Sequence, residues 1–179
     1  MKKYDVIVVG AGPSGAFLAY EMLQLDKTKK VLLIEQGHSV EKRNCPIEKV
    51  GKCVSCPMCN ITCGFSGAGA FSDGKLSLYN KEDDNIYVGG YLHDYIGVEK
   101  TKKLIDYVDR IYLHFGADPK LEGTEYKKEV DAIAKKASKE NLHLINIPIR
   151  HLGTEKSHEI YARIEKYLID NGVEILYLC

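Results

Sequence analysis

The sequence predicts an α/β fold with a parallel sheet and flanking helices, and three observations in the first 35 residues carry this prediction. Residues 4–9, Tyr-Asp-Val-Ile-Val-Val, end in four consecutive β-branched residues, a pattern typical of a strand buried on both faces. Residues 16–25 place apolar side chains at helical spacing, and residues 31–34, Val-Leu-Leu-Ile, predict a second buried strand. A glycine-rich turn separates the first strand from the helix. This order favours a Rossmann-like dinucleotide-binding fold, of the kind that binds FAD or NAD(P).

The turn between the first strand and the helix reads Gly10-Ala-Gly12-Pro13-Ser14-Gly15. Gly10 permits a tight turn, Gly12 lets the backbone approach a pyrophosphate, and Gly15 allows the helix to pack closely on the strand. The helix N-terminus would then face the phosphates with its free N–H groups. Glu35 stands twenty residues after Gly15, where an acid can accept hydrogen bonds from a ribose hydroxyl. The predicted nucleotide contacts are Gly10, Gly12, Pro13, Ser14, Gly15 and Glu35.

The composition limits the classes of partner. The chain has 179 residues and a net charge of zero, with 25 basic and 25 acidic side chains. No basic face is implied, so we do not expect nucleic acid as a partner. The first apolar run is short and contains Asp5, and no run approaches membrane-spanning length. We expect a cytoplasmic protein that acts on a small-molecule substrate or an electron-transfer partner, and a homo-oligomer is compatible with this sequence.

Five of the six cysteines fall between residues 45 and 63, in a connection without clear periodicity. Residues 53–63 have the spacing C-x2-C-x2-C-x3-C, which resembles the run that bacterial ferredoxins use for a 4Fe–4S cluster. The predicted ligands are Cys53, Cys56 and Cys59, with Cys45 or Cys63 as the fourth. A structural zinc is the alternative metal, and free thiols or a redox disulfide are the alternative without metal. A metal centre would also order this long connection.

A second glycine-rich segment, residues 67–75, offers successive backbone N–H groups that suit an anion or the edge of a ring. A flavin is long, so a second loop is needed to hold its ribitol or isoalloxazine once the first holds the pyrophosphate. The predicted contacts in this segment are Gly67, Gly69, Ser72, Asp73, Gly74 and Lys75.

The later part of the chain predicts three helices and three strands. Apolar spacing indicates helices over residues 99–115, 125–140 and 154–170, and strands over 76–79, 143–149 and 173–178. In the second of these helices one face consists of Tyr126, Val130, Ile133, Ala134 and Ala137. A buried strand at the end of the sequence leads us to expect a piece of a larger domain.

Four blocks resemble a family of FAD-dependent dehydrogenases, the NAD(P)/FAD-dependent oxidoreductases, whose fold is similar to that of glutathione-reductase-like flavoproteins. The blocks are residues 5–15, 45–63, 67–75 and 149–154. The resemblance implies an FAD-dependent oxidoreductase, with NAD(P)H as a candidate reductant and a cysteine-ligated metal centre as a candidate electron carrier. It also implies that residues 1–179 form the N-terminal, FAD-binding part of a longer flavoprotein. A non-catalytic nucleotide- or metal-binding module is the alternative. Ser66 stands where this pattern leads us to expect a glycine.

Overall fold

A computed structural model describes residues 2–71, 74–79, 86 and 88–179. Its helices and strands are β1 (Val6–Val9), α1 (Pro13–Leu25), β2 (Val31–Glu35), α2 (Ile47–Val50), β3 (Lys75–Ser77), α3 (Leu92–Ile96), α4 (Val98–His114), α5 (Lys127–Lys139), β4 (Ile149–His151), α6 (Thr154–Asp170) and β5 (Glu174–Tyr177). The chain divides into two compact units. The first is Met1–Gly74 with Gly153–Cys179, and the second is Lys75–Leu152. No helix in the described ranges is both long and apolar enough to cross a membrane.

The sheet of the first unit has three parallel strands in the order β1–β2–β5. Val8 is opposite Leu33, and Leu33 is opposite Ile175, so β2 is the central strand. Each step from one strand to the next passes through a helix or a long connection, as parallel pairing requires. The predicted class, α/β with a parallel sheet and flanking helices, is confirmed. The arrangement is compatible with part of a Rossmann-like fold.

The core of the first unit lies where α1 packs on β1 and β2 and contacts α6. Small side chains let α1 approach the strands, since Ala16 and Ala19 are fully buried. Helix α6 buries one apolar face, since Ile160, Ile164 and Leu168 are at most 1% exposed. Burial of such side chains contributes about 1.5–3 kcal/mol each, so the apolar face of α6 stabilises the first unit.

Strand β1 differs from its prediction as a strand buried on both faces. Val8 is buried, but Ile7 is 58% exposed and Val9 is 82% exposed. Within the part of the chain that the structure describes, β1 pairs with β2 alone. Parallel strands are usually covered on both faces. The β-branched run therefore predicted the strand correctly. Its predicted burial on both faces is wrong, since burial depends on what packs against the strand.

The second unit contains the antiparallel pair β3–β4, in which Leu76 is opposite Arg150. Arg150 is 3% exposed, and its Nη2 donates to Asp109 Oδ2 on α4 at 2.7 Å. A second donor of the same guanidinium reaches the Asp118 carbonyl oxygen. This buried pair ties β4 to α4, because removing either partner would leave an uncompensated charge in the interior. Arg150 is therefore a structural anchor of this unit.

In the second unit α5 exposes its apolar residues, and the strand predicted before β4 is wrong. Tyr126 and Ile133 are 66% and 55% exposed, and no residue of α5 with a described side chain is buried. The predicted strand over 143–149 begins only at Ile149. In both places the apolar pattern is real. It indicates helix or strand, but it does not supply the partner surface that burial and strand pairing require.

A buried carboxylate on α6 links three segments of the first unit. Glu165 is 6% exposed, and it accepts hydrogen bonds from the Tyr177 hydroxyl and, at 3.2 Å, from the Val40 N–H. Burial raises the pKa of Glu165 above its ordinary value, against the lowering effect of these two hydrogen bonds. Burial, and after it the hydrogen bond to Glu165, raises the pKa of Tyr177.

We expect Glu165→Gln to remove a pH dependence that the stability of the parent shows. Because the pKa of Glu165 is higher in the folded state, the free energy of unfolding of the parent falls as the pH rises from the unfolded pKa through the folded one. At pH values above the folded pKa, each pKa unit between the folded and unfolded states lowers the free energy of unfolding by about 1.4 kcal/mol. Urea denaturation across a pH series measures the effect, and Glu159→Gln, at an exposed position of α6, is the control. Identical pH profiles for the parent and Glu165→Gln would contradict the prediction.

Candidate functional site

The three glycines of the first turn have different roles. Gly10 has φ +93°, a left-handed value that favours glycine. A Cβ at Gly15 would lie 1.9 Å from the Gly10 carbonyl oxygen and 3.2 Å from Val8 Cγ1, so glycine alone fits there. A Cβ at Gly12 would meet no described atom within 4 Å. The turn is therefore closed towards the strand and open at Gly12, which is the shape that close approach of a phosphate needs.

Helix α1 begins at this opening without a side-chain cap. Gly12 is the N-cap residue, Pro13 follows it, and no described side chain hydrogen-bonds to this helix end as a cap. Ser14, in the first turn, is exposed. Uncapped N–H groups and the positive end of the helix dipole favour an anion at such a position. The structure thus brings the predicted phosphate contacts together at one helix terminus, and the ligand itself stays a prediction.

Glu35 has a role that the sequence did not predict. Its side chain is buried, and Oε2 accepts a hydrogen bond from the Ala11 N–H at 2.7 Å. Oε1 accepts from the Gly37 N–H at 2.8 Å and from the Gly64 N–H at 3.0 Å. A carboxylate offers about four acceptor positions, so three of them hold backbone segments together. The contact of Glu35 with a ribose stays a prediction, for which one acceptor position remains.

The second glycine-rich loop lies directly against the first. The Ser66 N–H donates to the Ala11 carbonyl oxygen at 2.7 Å. A Cβ at Gly67 would be 3.6 Å from Gly12 Cα, which is ordinary contact distance. Residues Gly67–Ala70 form one 3-10 turn. The two segments that the sequence predicted to hold different parts of one long ligand are therefore neighbours in space.

Ser66 itself has an unusual conformation for its residue type. Its φ is +68°, its side chain is fully buried, and Oγ has no hydrogen-bond partner among the described residues. Left-handed backbone costs a non-glycine residue about 1 kcal/mol. This conformation explains physically why a glycine is the expected residue at this position.

The other four predicted contacts of this segment are Ser72, Asp73, Gly74 and Lys75. Ser72 and Asp73 lie outside the described residues. Gly74, with φ +58°, ends the first unit, and Lys75 begins β3 in the second. For these four residues, contact with a cofactor stays a prediction.

Helix α6 supports the second loop through contacts that sequence reasoning missed. Ser157 Oγ donates to the Gly69 carbonyl oxygen at 3.1 Å. A Cβ at Gly69 would lie 3.0 Å from the Tyr161 hydroxyl, so this glycine allows the close approach of the helix. The His158 ring meets the Phe71 ring edge-on at 5.5 Å between centroids. The available signal was the amphipathic pattern of α6, which indicates a buried face but not the loop that the face meets.

Arg43 holds the cysteine-rich connection in place through hydrogen bonds. It is 1% exposed, and its guanidinium donates to the carbonyl oxygens of Asn60, Ile61 and Phe65 at 2.7–2.8 Å. Its Cζ lies 4.4 Å from the centroid of the Phe71 ring, a cation–π distance. Burial lowers the pKa of Arg43, but a guanidinium stays charged in proteins. No sequence pattern indicates this role, because Arg43 follows Glu41 and Lys42 in a run typical of surface charges.

The five cysteines of the connection are described, and they are not gathered as ligands. In the described ranges, no group of three or more Cys, His, Asp or Glu side chains is placed to hold a metal. The thiols are free, with Cys53 and Cys59 exposed and Cys45, Cys56 and Cys63 half-buried. Their arrangement fits neither the predicted 4Fe–4S cluster nor a zinc site. The hydrogen bonds that order this connection in the structure come from the buried Arg43.

The thiol of Cys59 has a distinct environment. Backbone N–H groups of Ile61 and Thr62, followed by the Thr62 hydroxyl, lower the pKa of this thiol. The positive charge of Arg43 acts in the same direction. Such surroundings favour the thiolate, which is the reactive form of cysteine.

Two known proteins are similar to this chain in part. No family model matches the chain. An uncharacterized protein from Clostridium beijerinckii is 39% identical over 77 residues, which cover 42% of this chain but only 14% of that protein's length. Among solved structures, an L-amino acid deaminase from Proteus vulgaris is similar over 100% of this chain and 40% of its own, with 16% identity and a TM-score of 0.43. Similarity at this level assigns no function.

We expect Gly15→Ala to destabilise the protein by about 3 kcal/mol or more, because the new methyl group would meet a backbone carbonyl oxygen that cannot move cheaply. The matched change Gly12→Ala should stay within about 0.5 kcal/mol of the parent, since φ −60° suits any residue and the Cβ direction is open. Thermal and urea denaturation of both variants compare them. Similar losses at the two positions would show that this turn is not closed on one side.

We expect Arg43→Met to destabilise the protein by about 3 kcal/mol, because three buried carbonyl oxygens would lose their donor. Arg163→Met, at an exposed position of α6, is the control and should change stability by less than about 0.5 kcal/mol. Urea denaturation measures the difference. If Arg43→Met is as stable as the control, the guanidinium does not hold the connection.

Proposed function

We propose that this chain binds FAD at its two glycine loops and supplies the nucleotide-binding part of an FAD-dependent oxidoreductase. The observation that carries the proposal is the contrast between Gly15, where no side chain fits, and Gly12, where the backbone is open at an uncapped helix end. A pyrophosphate needs both features, since it must approach the backbone closely and receive N–H groups that nothing else occupies.

The second loop supports a ligand as long as FAD. Its backbone is hydrogen-bonded to the first turn through Ser66 and Ala11, so the two loops form one continuous surface. An adenine dinucleotide places its pyrophosphate between two large groups, and a single turn can contact only the middle of it. A neighbouring backbone surface at Gly67 and Gly69 suits the adjoining part of such a ligand.

The residues of this chain contribute binding and orientation. The N-terminus of α1 stabilises the phosphate charge, Gly12 admits the phosphate to the backbone, and Glu35 holds both loops in position. FAD, when bound, supplies the two-electron chemistry of a dehydrogenase. A small-molecule substrate, and NAD(P)H as the reductant, are part of the proposal for the whole protein.

Titration of the purified full chain with FAD, followed by flavin fluorescence and absorbance, tests the proposal. Gly12→Val should weaken FAD binding about 100-fold, roughly 2.7 kcal/mol, because its side chain would occupy the space of the phosphate. Its melting temperature should stay close to that of the parent. Leu18→Val, at an exposed position of the same helix, is the control and should bind FAD as the parent does.

The titration also separates the alternatives. Parent protein that takes up ADP but no FAD would favour a nucleotide-binding module without flavin chemistry. Undiminished FAD binding by Gly12→Val would place any flavin site elsewhere and reject the proposal.

A further inference from the structure

One pair of thiols in the cysteine-rich connection stands at the two ends of a hydrogen-bonded turn. The Cys63 N–H donates to the Cys59 carbonyl oxygen at 2.8 Å, and the Thr62 N–H donates to the same oxygen at 3.1 Å. A helical turn closed in this way places its first and fifth Cα atoms about 6 Å apart. That separation lies within the range of about 4.4–6.8 Å found in disulfides. Among the described residues, Cys53–Cys56 and Cys56–Cys59 have no corresponding backbone bond.

The segment between these two thiols is anchored to the interior. Arg43 binds the carbonyl oxygens of Asn60 and Ile61, which are two of the three residues separating Cys59 from Cys63. Asn60 Nδ2 also donates to the Asn44 carbonyl oxygen at 3.0 Å. Because the backbone between the thiols is already ordered, joining their sulfurs costs little additional conformational entropy.

Both sulfurs have polar surroundings. Gln36 Nε2 lies 3.4 Å from Cys63 Sγ, and Thr62 Oγ1 lies 3.7 Å from the same sulfur. Cys59 is exposed, so a small reagent can reach its sulfur. A buried cation, Arg43, lies beneath the turn.

We propose that Cys59 and Cys63 form a thiol–disulfide exchange site that reacts with low-molecular-weight disulfides. The Cys59 sulfur, as the thiolate, attacks the small disulfide, forms a mixed disulfide and releases one thiolate. Cys63 then gives its proton to solvent, and its sulfur attacks the Cys59 sulfur and releases the second thiolate. In total the two protein thiols lose two electrons and two protons, and the small disulfide becomes two thiols. The site requires no flavin and stands independently of the function proposed above.

The bond formed at this turn is reversible rather than structural. Cβ atoms four residues apart in a helical turn are about 5–6 Å apart, whereas a disulfide needs about 3.5–4.5 Å. Closing the bond therefore strains the turn, and strained, exposed disulfides are reduced readily. Gly64 directly follows Cys63, and its N–H donates to Glu35. Formation of the disulfide therefore changes the backbone beside the hydrogen bond that holds the second loop.

The test compares two matched four-serine variants of the full chain. The first carries Cys45→Ser, Cys53→Ser, Cys56→Ser and Cys179→Ser, and keeps the proposed pair. The second carries Cys45→Ser, Cys59→Ser, Cys63→Ser and Cys179→Ser, and keeps Cys53 and Cys56. Each is reduced, freed of reductant and mixed anaerobically with glutathione disulfide as the probe. Free-thiol titration and intact mass should show the first variant losing two hydrogen atoms and releasing two thiols per chain, at least about tenfold faster than the second.

The unsubstituted chain gives a second readout that does not depend on the folding of the variants. After the same treatment, peptide mapping should find Cys59 linked to Cys63. Equal rates in the two variants, a mixed disulfide that never closes, or a dominant link between other cysteines would overturn the proposal. Stoichiometric iron or zinc that protects these thiols in anaerobically purified chain would overturn it as well.

Discussion

The buried carboxylate of Glu35 is the interaction on which the arrangement of the first unit depends. It accepts N–H donors from three places in the chain, at Ala11, Gly37 and Gly64. A carboxylate can be buried only where such donors offset its desolvation, and each of these donors would in turn be costly to leave unpaired. A Cβ at Gly37 would lie 2.3 Å from the Gly64 nitrogen, so the approach also requires glycine. One side chain therefore fixes both glycine loops relative to β2.

Arg43 is the complementary constraint on the connection that follows. Its charge is held by neutral carbonyl oxygens and an aromatic face, with Glu35 contributing a longer-range attraction. The guanidinium suits this task because its donors form a rigid planar fork that can serve several carbonyls at once. As a result one side chain holds Asn60, Ile61 and Phe65 in place relative to each other.

The candidate site lies where two parallel strands end. β1 leads into the first glycine turn, and β2 ends at Glu35, so both contributions meet at the carboxyl edge of the sheet. This edge is the usual ligand position in open parallel sheets, because the connections leaving the strands diverge there and the helices that follow present their N-termini. The opening at Gly12, the uncapped end of α1 and the second loop are therefore consequences of one topology.

The sequence by itself determined the succession β1, α1, β2 and the helices α4 to α6. It also determined that Gly10, Gly12 and Gly15 have different roles in the first turn. These features depend on short-range patterns, namely β-branched runs, helical periodicity and glycine at fixed offsets. Only the tertiary structure decided that Glu35 holds backbone, that Arg43 is buried and that α5 has an exposed apolar face. The physical reason is distance along the chain. Glu35 meets donors 24 and 29 residues away, and burial depends on surfaces that no local pattern specifies.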